Sequence, residues 1–324
     1  MTNPSPPGRY AVSFEDVRDA ARRVGGQVHR TPVVTCATLN RMAGRALYFK
    51  CEHLQRVGAF KFRGATNAVS HLPAERAARG VVTHSSGNHA QALALAARRR
   101  GIPAHVVMPT SAPAVKRAAV VGYGARVIPC APTLQAREET TAQVLAETGG
   151  TLVHPYDDPQ VIAGQGTAAL ELLEDVPELD AILAPVGGGG LMAGTCIAAR
   201  GVAPSVRLWG AEPTGADDAA RSFAAGRLIP QTAPDTVADG LLTSLGQRTW
   251  PILRDHLEGI LTAPDDAIIH AMRLLWERAK LLVEPSAAVP LAAILQGGLT
   301  GHPEIQRVGI ILSGGNVQLD RLPF

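Results

Sequence analysis

Four short segments of this 324-residue sequence hold residues whose types and spacing can do chemistry. In GAFKFRGA, Lys61 lies between Phe60 and Phe62 and next but one to Arg63. An amine desolvated by apolar neighbours and close to a second cation loses proton affinity, which turns it into a nucleophile toward an aldehyde. A surface lysine whose stem packs on a ring has the same local sequence. In the second segment, Gly187-Gly188-Gly189-Gly190 separates the apolar run Ala181 to Val186 from an Ala-rich stretch that opens at Leu191. Glycines let successive N–H groups turn toward one anion, and the start of a helix adds a favourable dipole, so the turn suits a phosphate. The spaced G-x-G-x-x-G of a dinucleotide fold and the Lys-Ser/Thr of a P-loop are both missing, which favours a phosphate monoester over NAD or ATP. A plain strand-to-helix turn shares the pattern.

The third segment, THSSGNHA from Thr83 to Ala90, passes from a strand to a helix through Ser85, Ser86, Gly87 and Asn88. Free N–H groups and hydroxyls at a helix start make a seat for a substrate carboxylate, and Asn88 can offer its amide to a phenolic oxygen; ordinary N-capping is the other reading. Fourth, Ser313 opens SGGN after the apolar run Val308 to Leu312. Its hydroxyl can hydrogen-bond a ring nitrogen without bringing a formal charge, or can serve as a turn serine.

These segments need elements to hold them. Strands are predicted at Gly80 to Thr83, Ala104 to Met108, Ala125 to Pro129, Ala181 to Val186, Val206 to Ala211 and Val308 to Leu312, with helices such as Ala90 to Arg100, Leu191 to Ala199 and Asp265 to Lys280 between them. Such alternation predicts an α/β fold with an open, mainly parallel sheet flanked by helices, whose ligands sit at the carboxyl ends of the strands. Pro/Asp-rich passages at Pro155 to Pro159 and Ala233 to Asp239 interrupt the pattern, the first as a lobe boundary.

Composition narrows the function classes. Hydrophobic residues are 46% and charged residues 18%, the balance of a compact enzyme. With a net charge of only +3, the basic run Arg98 to Arg100 reads as a solvated helix end, and no nucleic-acid partner is expected. Apolar stretches are all broken short of the ~20 residues that span a bilayer, and Met1 to Arg9 has no signal-peptide core, so no membrane partner and a cytoplasmic location are expected. The cysteines Cys36, Cys51, Cys130 and Cys196 lack paired spacing and read as small buried hydrophobes.

Taken together and in this order, GAFKFRGA, THSSGNHAQAL, APVGGGGLMAG, EPTGADDA and ILSGGNV resemble the fold-type II pyridoxal-phosphate family of serine/threonine dehydratases and serine racemases, over about Val12 to Val317. The resemblance implies a tryptophan synthase β-like fold of two lobes, each with an open, mainly parallel sheet. Residues 1–79 and 157–324 would form the large cofactor-binding domain and 80–156 a small domain inserted in it. Lys61 would condense with the aldehyde of pyridoxal 5'-phosphate, Phe60 would lie beside the ring, Asn88 would bond its 3′-oxygen, and Ser313 would face the ring nitrogen. Gly187, Gly188, Gly189, Gly190 and Leu191 would hold the phosphate. The segment from Ser85 and Ser86 through Asn88 to His89 would hold the carboxylate of a small amino-acid substrate, with Arg137 and Thr243 contributing. In EPTGADDA, Glu212, the carbonyl of Ala216 and Asp218 resemble a divalent-cation site for Mg²⁺ or Ca²⁺, hard ions that take oxygen ligands. A homodimer is implied as well.

The same resemblance implies a dehydratase, an ammonia-lyase that converts L-threonine, L-serine or threo-3-hydroxyaspartate to a 2-oxo acid and ammonia. The alternative is a serine or hydroxyaspartate/aspartate racemase that uses Lys61 and Ser86 on opposite faces of the cofactor. Ser86 stands where many threonine dehydratases carry alanine and so leans toward the racemases; Ala90, in place of a glycine common in racemases, leans back. No regulatory domain follows SGGNVQLDRLPF, so feedback inhibition by isoleucine is not expected.

Overall fold

Strands form where short β-branched and apolar runs end at glycine, proline or a polar turn. They are β1 Val33–Val34, β2 Ala46–Lys50, β3 Val81–His84, β4 Ala104–Pro109, β5 Arg126–Cys130, β6 Thr151–Leu152, β7 Ala181–Pro185, β8 Arg207–Pro213, β9 Gly259–Ala263 and β10 Arg307–Ile311. The computed structural model describes residues 10–112 and 114–324. The expectation about Met1 to Arg9 lies outside the described residues.

The strands make two sheets, one ordered β1-β2-β10-β7-β8-β9 and the other β5-β4-β3-β6. Among the described residues only β1 runs antiparallel to its neighbouring strand, and every other strand pairing is parallel. The carboxyl ends of β10, β7 and β8 therefore lie along one edge of the large sheet, where ligands of open α/β folds bind. The central strands are buried on both sides: every residue of Ala181–Pro185 is buried, and helices cover both faces of the sheet.

A separate core lies against the smaller sheet, joining Val81, Val106 and Leu93 to Phe62, Ala65 and Val69 of the helix Lys61–His71. That helix also crosses Pro159–Asp175 at very close range. A Cβ on Gly64 would meet the Val161 carbonyl oxygen at 2.7 Å, and one on Gly164 would meet Gly64 Cα at 2.6 Å. Gly166 and Gly194 form a like crossing between Pro159–Asp175 and the helix Gly190–Val202. The starts of two functional helices are thereby fixed against one central helix, since close-packed interiors transmit even sub-ångström shifts.

Three expectations need correction. The helix predicted to run from Asp265 to Lys280 is α-helical only over Asp265–Leu274; a π-helical turn, Leu275–Ala279, follows, and Lys280 sits in the left-handed region at φ 60°. Apolar periodicity does not distinguish a 3.6-residue turn from a wider one. The run Arg98 to Arg100 does end a helix, but Arg100 is not simply solvated. Its guanidinium donates to the carbonyls of Val69 and Leu72 at the end of the Lys61–His71 helix. Strands β1, β2, β6 and β9 were not predicted: two are two residues long, β9 is mostly half-exposed and opens on glycine, and β2 ends on a lysine. All four cysteines are free, with Cys51, Cys130 and Cys196 buried and Cys36 half-buried. Among the described residues no helix is long and apolar enough to cross a membrane.

Candidate active site

Lys61 opens its helix directly after a stitch to the large sheet. Ala59 bridges Gly314, and Phe60 N–H donates to the Ser313 carbonyl at 3.0 Å. The end of β10 and the reactive-lysine candidate are thus held together by backbone bonds. The Lys61 ammonium donates to the Pro155 carbonyl at 2.8 Å and lies 5.1 Å from the Phe60 ring centroid. Burial pushes its pKa down to about 8, while the Glu284 charge pulls it up. Removing solvent penalises the charged form, which is the effect expected of an amine prepared for an aldehyde.

Arg63 plays a different part from the one its position suggests. Its guanidinium bonds Glu52 at 2.7 and 2.9 Å and Glu171 at 2.7 Å through each terminal nitrogen. It is fully buried and anchors the helix, and the fall in the Lys61 pKa comes from desolvation instead.

Two helix starts face this lysine without side-chain caps. Gly190–Val202 begins after Gly189, which adopts φ 85°, and residues 187–191 are all buried. The N–H groups of a first helical turn have no partners inside the helix, so a buried and uncapped start calls for an anion. Gly188 serves a second purpose: a Cβ there would meet the Tyr156 ring at 2.1 Å. The Tyr156 hydroxyl in turn meets Thr243 Oγ at 3.0 Å, which places Thr243 beside the glycine turn. Thr249 Oγ donates to the Gly188 carbonyl at 2.8 Å and holds the turn's shape.

The second start belongs to Asn88–Arg100, whose N-cap Gly87 offers no side chain. Ser85, Ser86 and Asn88 are half-buried around it. Not every N–H here is free: Ser85 donates to the Val107 carbonyl at 3.2 Å and Gly87 to Ser85 Oγ at 3.3 Å, leaving those of Ser86, Asn88 and His89. The His89 ring turns away to the Val153 carbonyl at 3.1 Å; burial, then the Lys61 charge, hold its pKa well below the usual value.

Ser313 is buried at the end of β10. Asn88 is fixed by neighbours that motif reading did not find. Its amide nitrogen donates to both carboxylate oxygens of Glu284, at 2.9 and 3.1 Å, and its oxygen accepts from Asn316 at 2.9 Å. Arg137 acts electrostatically on His84 and on Tyr156, and its Nε is buried with no hydrogen-bond partner among the described residues. His84 and His154 stack edge to face at 5.5 Å, and His154 meets Tyr156 in the same way at 4.6 Å. Burial, then His84, push His154 down to about 4, which favours its neutral form; Asp157 and Arg248 also act on it.

Two of the predicted cation ligands, Glu212 and Asp218, lie close enough to act on each other. Glu212, at the end of β8, accepts from Ala219 N–H at 3.2 Å and Ala220 N–H at 2.8 Å. Asp218 accepts from Leu245 N–H at 2.9 Å through one oxygen, while its Oδ1 is buried without a partner. Glu212 is pushed up to about 9 by burial and then by Asp218; burial raises Asp218 to about 6. Two buried carboxylates with an orphan oxygen beside a buried Ala216 fit a hard divalent ion. Among the described residues no three His, Cys, Asp or Glu side chains cluster as a metal site, so carbonyls and water would supply the remaining ligands.

A desolvated lysine, an uncapped glycine-rich helix start and a fixed asparagine amide fit pyridoxal phosphate, whose aldehyde, phosphate and phenolic oxygen need those three partners. Comparisons with known proteins agree. A family profile described as "Pyridoxal-phosphate dependent enzyme" matches residues 24–314. A serine racemase from Dictyostelium discoideum is 50% identical over 96% of this chain and 97% of its own. A beta-hydroxyaspartate dehydratase from Paracoccus denitrificans is 52% identical over 97% of this chain and 99% of its own. Among solved structures, a serine racemase from maize superposes with a TM-score of 0.95 at 47% identity, over 96% of this chain and 95% of that one. With a profile spanning most of its length and relatives half identical end to end, this chain belongs to the fold-type II pyridoxal-phosphate-dependent enzyme family that contains serine racemases and a hydroxyaspartate dehydratase.

Proposed function

We propose that the chain is a dehydratase of small β-hydroxy amino acids, yielding a 2-oxo acid and ammonia from L-threonine, L-serine or threo-3-hydroxyaspartate, with Lys61 as the cofactor lysine. The observation that carries this reading is a desolvated Lys61 amine near two uncapped helix starts: its charge acts on His89 at one, suited to a carboxylate, and it donates to the Pro155 carbonyl beside Tyr156, whose ring packs on Gly188 at the other, suited to a phosphate. When bound, pyridoxal phosphate joins the substrate amine and withdraws electrons from Cα, which makes its proton removable. The N–H groups of Ser86, Asn88 and His89 hold the substrate carboxylate and orient Cα. Lys61 Nζ takes the Cα proton as general base. Loss of the β-hydroxyl as water follows, and hydrolysis releases the 2-oxo acid and ammonia. Ser313 contributes a neutral hydroxyl at the ring nitrogen, which does not favour a protonated ring and so supports elimination over transamination.

Arg137 extends the substrate range to a second carboxylate, since its buried Nε has no hydrogen-bond partner among the described residues and can donate to one. Glu212, the Ala216 carbonyl and Asp218 hold the divalent cation. Ser86 supports racemisation as the second reading: its hydroxyl would give and take a proton on the face opposite Lys61. Relatives of both kinds are close in sequence. The test is a panel of L-serine, D-serine, L-threonine and threo-3-hydroxyaspartate, scored for 2-oxo acid and for enantiomer ratio. Steady 2-oxo acid formation is expected from at least one L or threo substrate. Enantiomer exchange with no 2-oxo acid from any of them would make the protein a racemase.

A further inference from the structure

Glu284 is a buried charge that the mechanism above leaves without a task, in the otherwise apolar run LLVEPSAAV. Its surroundings are fixed by a chain of donors and acceptors with one solution. The Val57 carbonyl can only accept, so the group 2.7 Å from it must be the Asn316 amide nitrogen. That nitrogen also donates to Asn88, which turns the Asn88 oxygen toward Asn316 and its nitrogen toward Glu284. Glu284 completes the chain by accepting from Asn316 N–H at 3.1 Å. The carboxylate lies against Gly314, where a Cβ would meet it at 2.5 Å, and Gly314 bridges Ala59, two residues before Lys61.

We infer that Glu284 is a positioning residue for the cofactor: its two carboxylate oxygens share one N–H of the Asn88 amide and leave the other for the phenolic oxygen, and it is the counter-charge of the Lys61 nitrogen. The inference rests on the placement of the cofactor at Lys61 and Asn88 proposed above. Other charged groups around Glu284 are Asp239, which raises its pKa, and Lys116 of the helix Ala114–Gly122, which lowers it and pairs with Asp239. Burial is the largest influence, and the carboxyl stands at about 7, close to the value of about 8 at Lys61.

Glutamine at position 284 removes the charge and, in either orientation of its amide, sets an NH2 donor against the Asn88 amide nitrogen, since one of its two head atoms is a donor and both carboxylate oxygens of Glu284 face that nitrogen. The experiment compares the holoenzyme with E284Q, E284D, N88A and the E284Q/N88A double variant. Two readouts are used: the pH at which the visible cofactor band changes, and the Kd for pyridoxal phosphate by equilibrium dialysis. Loss of a buried counter-charge shifts a neighbouring pKa by about 1 unit or more, so the band of E284Q should change at a pH lower by about that amount. The Kd should rise on the order of 10-fold, as for a lost charged hydrogen bond of about 1.4 kcal/mol. E284D keeps the charge but draws it back from Asn88, so its band should stay near the wild-type pH while its Kd rises. In the N88A background, E284Q should add less than about 2-fold to Kd, because the residue through which it acts is gone.

A wild-type transition pH and Kd in E284Q overturn the inference, as does an undiminished E284Q effect on Kd in N88A. Should E284Q fail to fold, an E284D band displaced as far as that of an N88A control would overturn it equally. Failure of the underlying reading looks different: the wild-type protein itself would show no visible band, or borohydride would leave no pyridoxyl group on Lys61.

Discussion

Replacing Arg63 by methionine would remove the cation on which the reactive-lysine helix is hung. The side chain has no exposure, and its partners Glu52 and Glu171 are 0% and 15% exposed, so water cannot substitute for it. Glu52 would keep only the Thr31 hydroxyl at 2.5 Å, and Glu171 only Lys50 at 2.7 Å. Removing one partner of a buried ion pair costs ~3–5 kcal/mol, because the remaining charge stays buried. Unfolding entropy of ~2.1 cal/mol/K per residue over 324 residues gives about 0.7 kcal/mol/K. The melting temperature should therefore fall by about 4–7 °C at pH 7, read by calorimetry on the cofactor-free protein. Arg63→Lys, which keeps the charge but not the bidentate fork, should fall by less.

The pH dependence gives the argument a second handle. Burial alone would raise the Glu171 pKa, but Arg63 and then Lys50 outweigh it and hold the group below its ordinary 4.5. A depressed carboxylate stabilises the fold above its unfolded pKa and loses that contribution as pH falls through its folded pKa. In Arg63→Met burial prevails, so the gap between the two proteins should be full at neutral pH and should close below 4.5. A drop under about 1 °C, or a gap that stays constant down through the acid range, would show that the Arg63 network does not carry the helix.

Three further perturbations address the site. Ser86→Ala should suppress enantiomer exchange by on the order of 100-fold, the worth of one acid/base group, while L-specific 2-oxo acid formation is spared; parallel loss of both would remove Ser86 from the second face. Dialysis against a chelator should lower the melting temperature by about 4 °C, the equivalent of ~2.7 kcal/mol for a site held at 100 times its Kd, with Mg²⁺ or Ca²⁺ restoring it and Glu212→Gln abolishing the response; indifference to chelator would leave Glu212 and Asp218 without an ion. Gly188→Ala sets a methyl 2.1 Å from Tyr156 Cγ, and overpacking of ~1–3 kcal/mol should weaken pyridoxal phosphate on the order of 10-fold; an unchanged Kd would mean that the Tyr156 ring is free to move aside.

The parts of the site legible in the sequence are those whose chemistry is local. Gly187 to Gly190 and Ser85 to Asn88 announce helix starts with free N–H groups, because glycine and serine are chosen there by backbone requirements that a few residues express. Lys61 could be found beside Phe60 for the same reason. Glu284, Asn316 and Tyr156 were not legible, since their roles depend on partners far along the chain: Glu284 meets Asn88 across 196 positions and Tyr156 meets Thr243 across 87. The only trace of Glu284 was a single charge in an apolar run. Arg63 was misread for the reverse reason, because adjacency in sequence placed it near Lys61 whereas helix geometry turns it toward Glu52 and Glu171. The same division holds for strands: β7 and β10, buried and largely apolar, are predictable, whereas β9 depends on its pairing with β8.

Both helix starts at the site lack caps of their own, and this ties the ligands to the fold. Gly190–Val202 follows β7 in the large sheet and Asn88–Arg100 follows β3 in the small one, so the two positive helix ends belong to different sheets. A capping side chain at either would satisfy the helix and close the site to anions. The chain leaves both open and supplies Lys61 between them, on a helix that packs with the small sheet's core yet is stitched by Ala59 and Phe60 to the end of β10. A phosphate on one start and a substrate carboxylate on the other would each complete a helix that the protein alone leaves unfinished. If the proposed ligands bind there, their binding free energy would draw the sheets together and hold the reacting Cα where they meet.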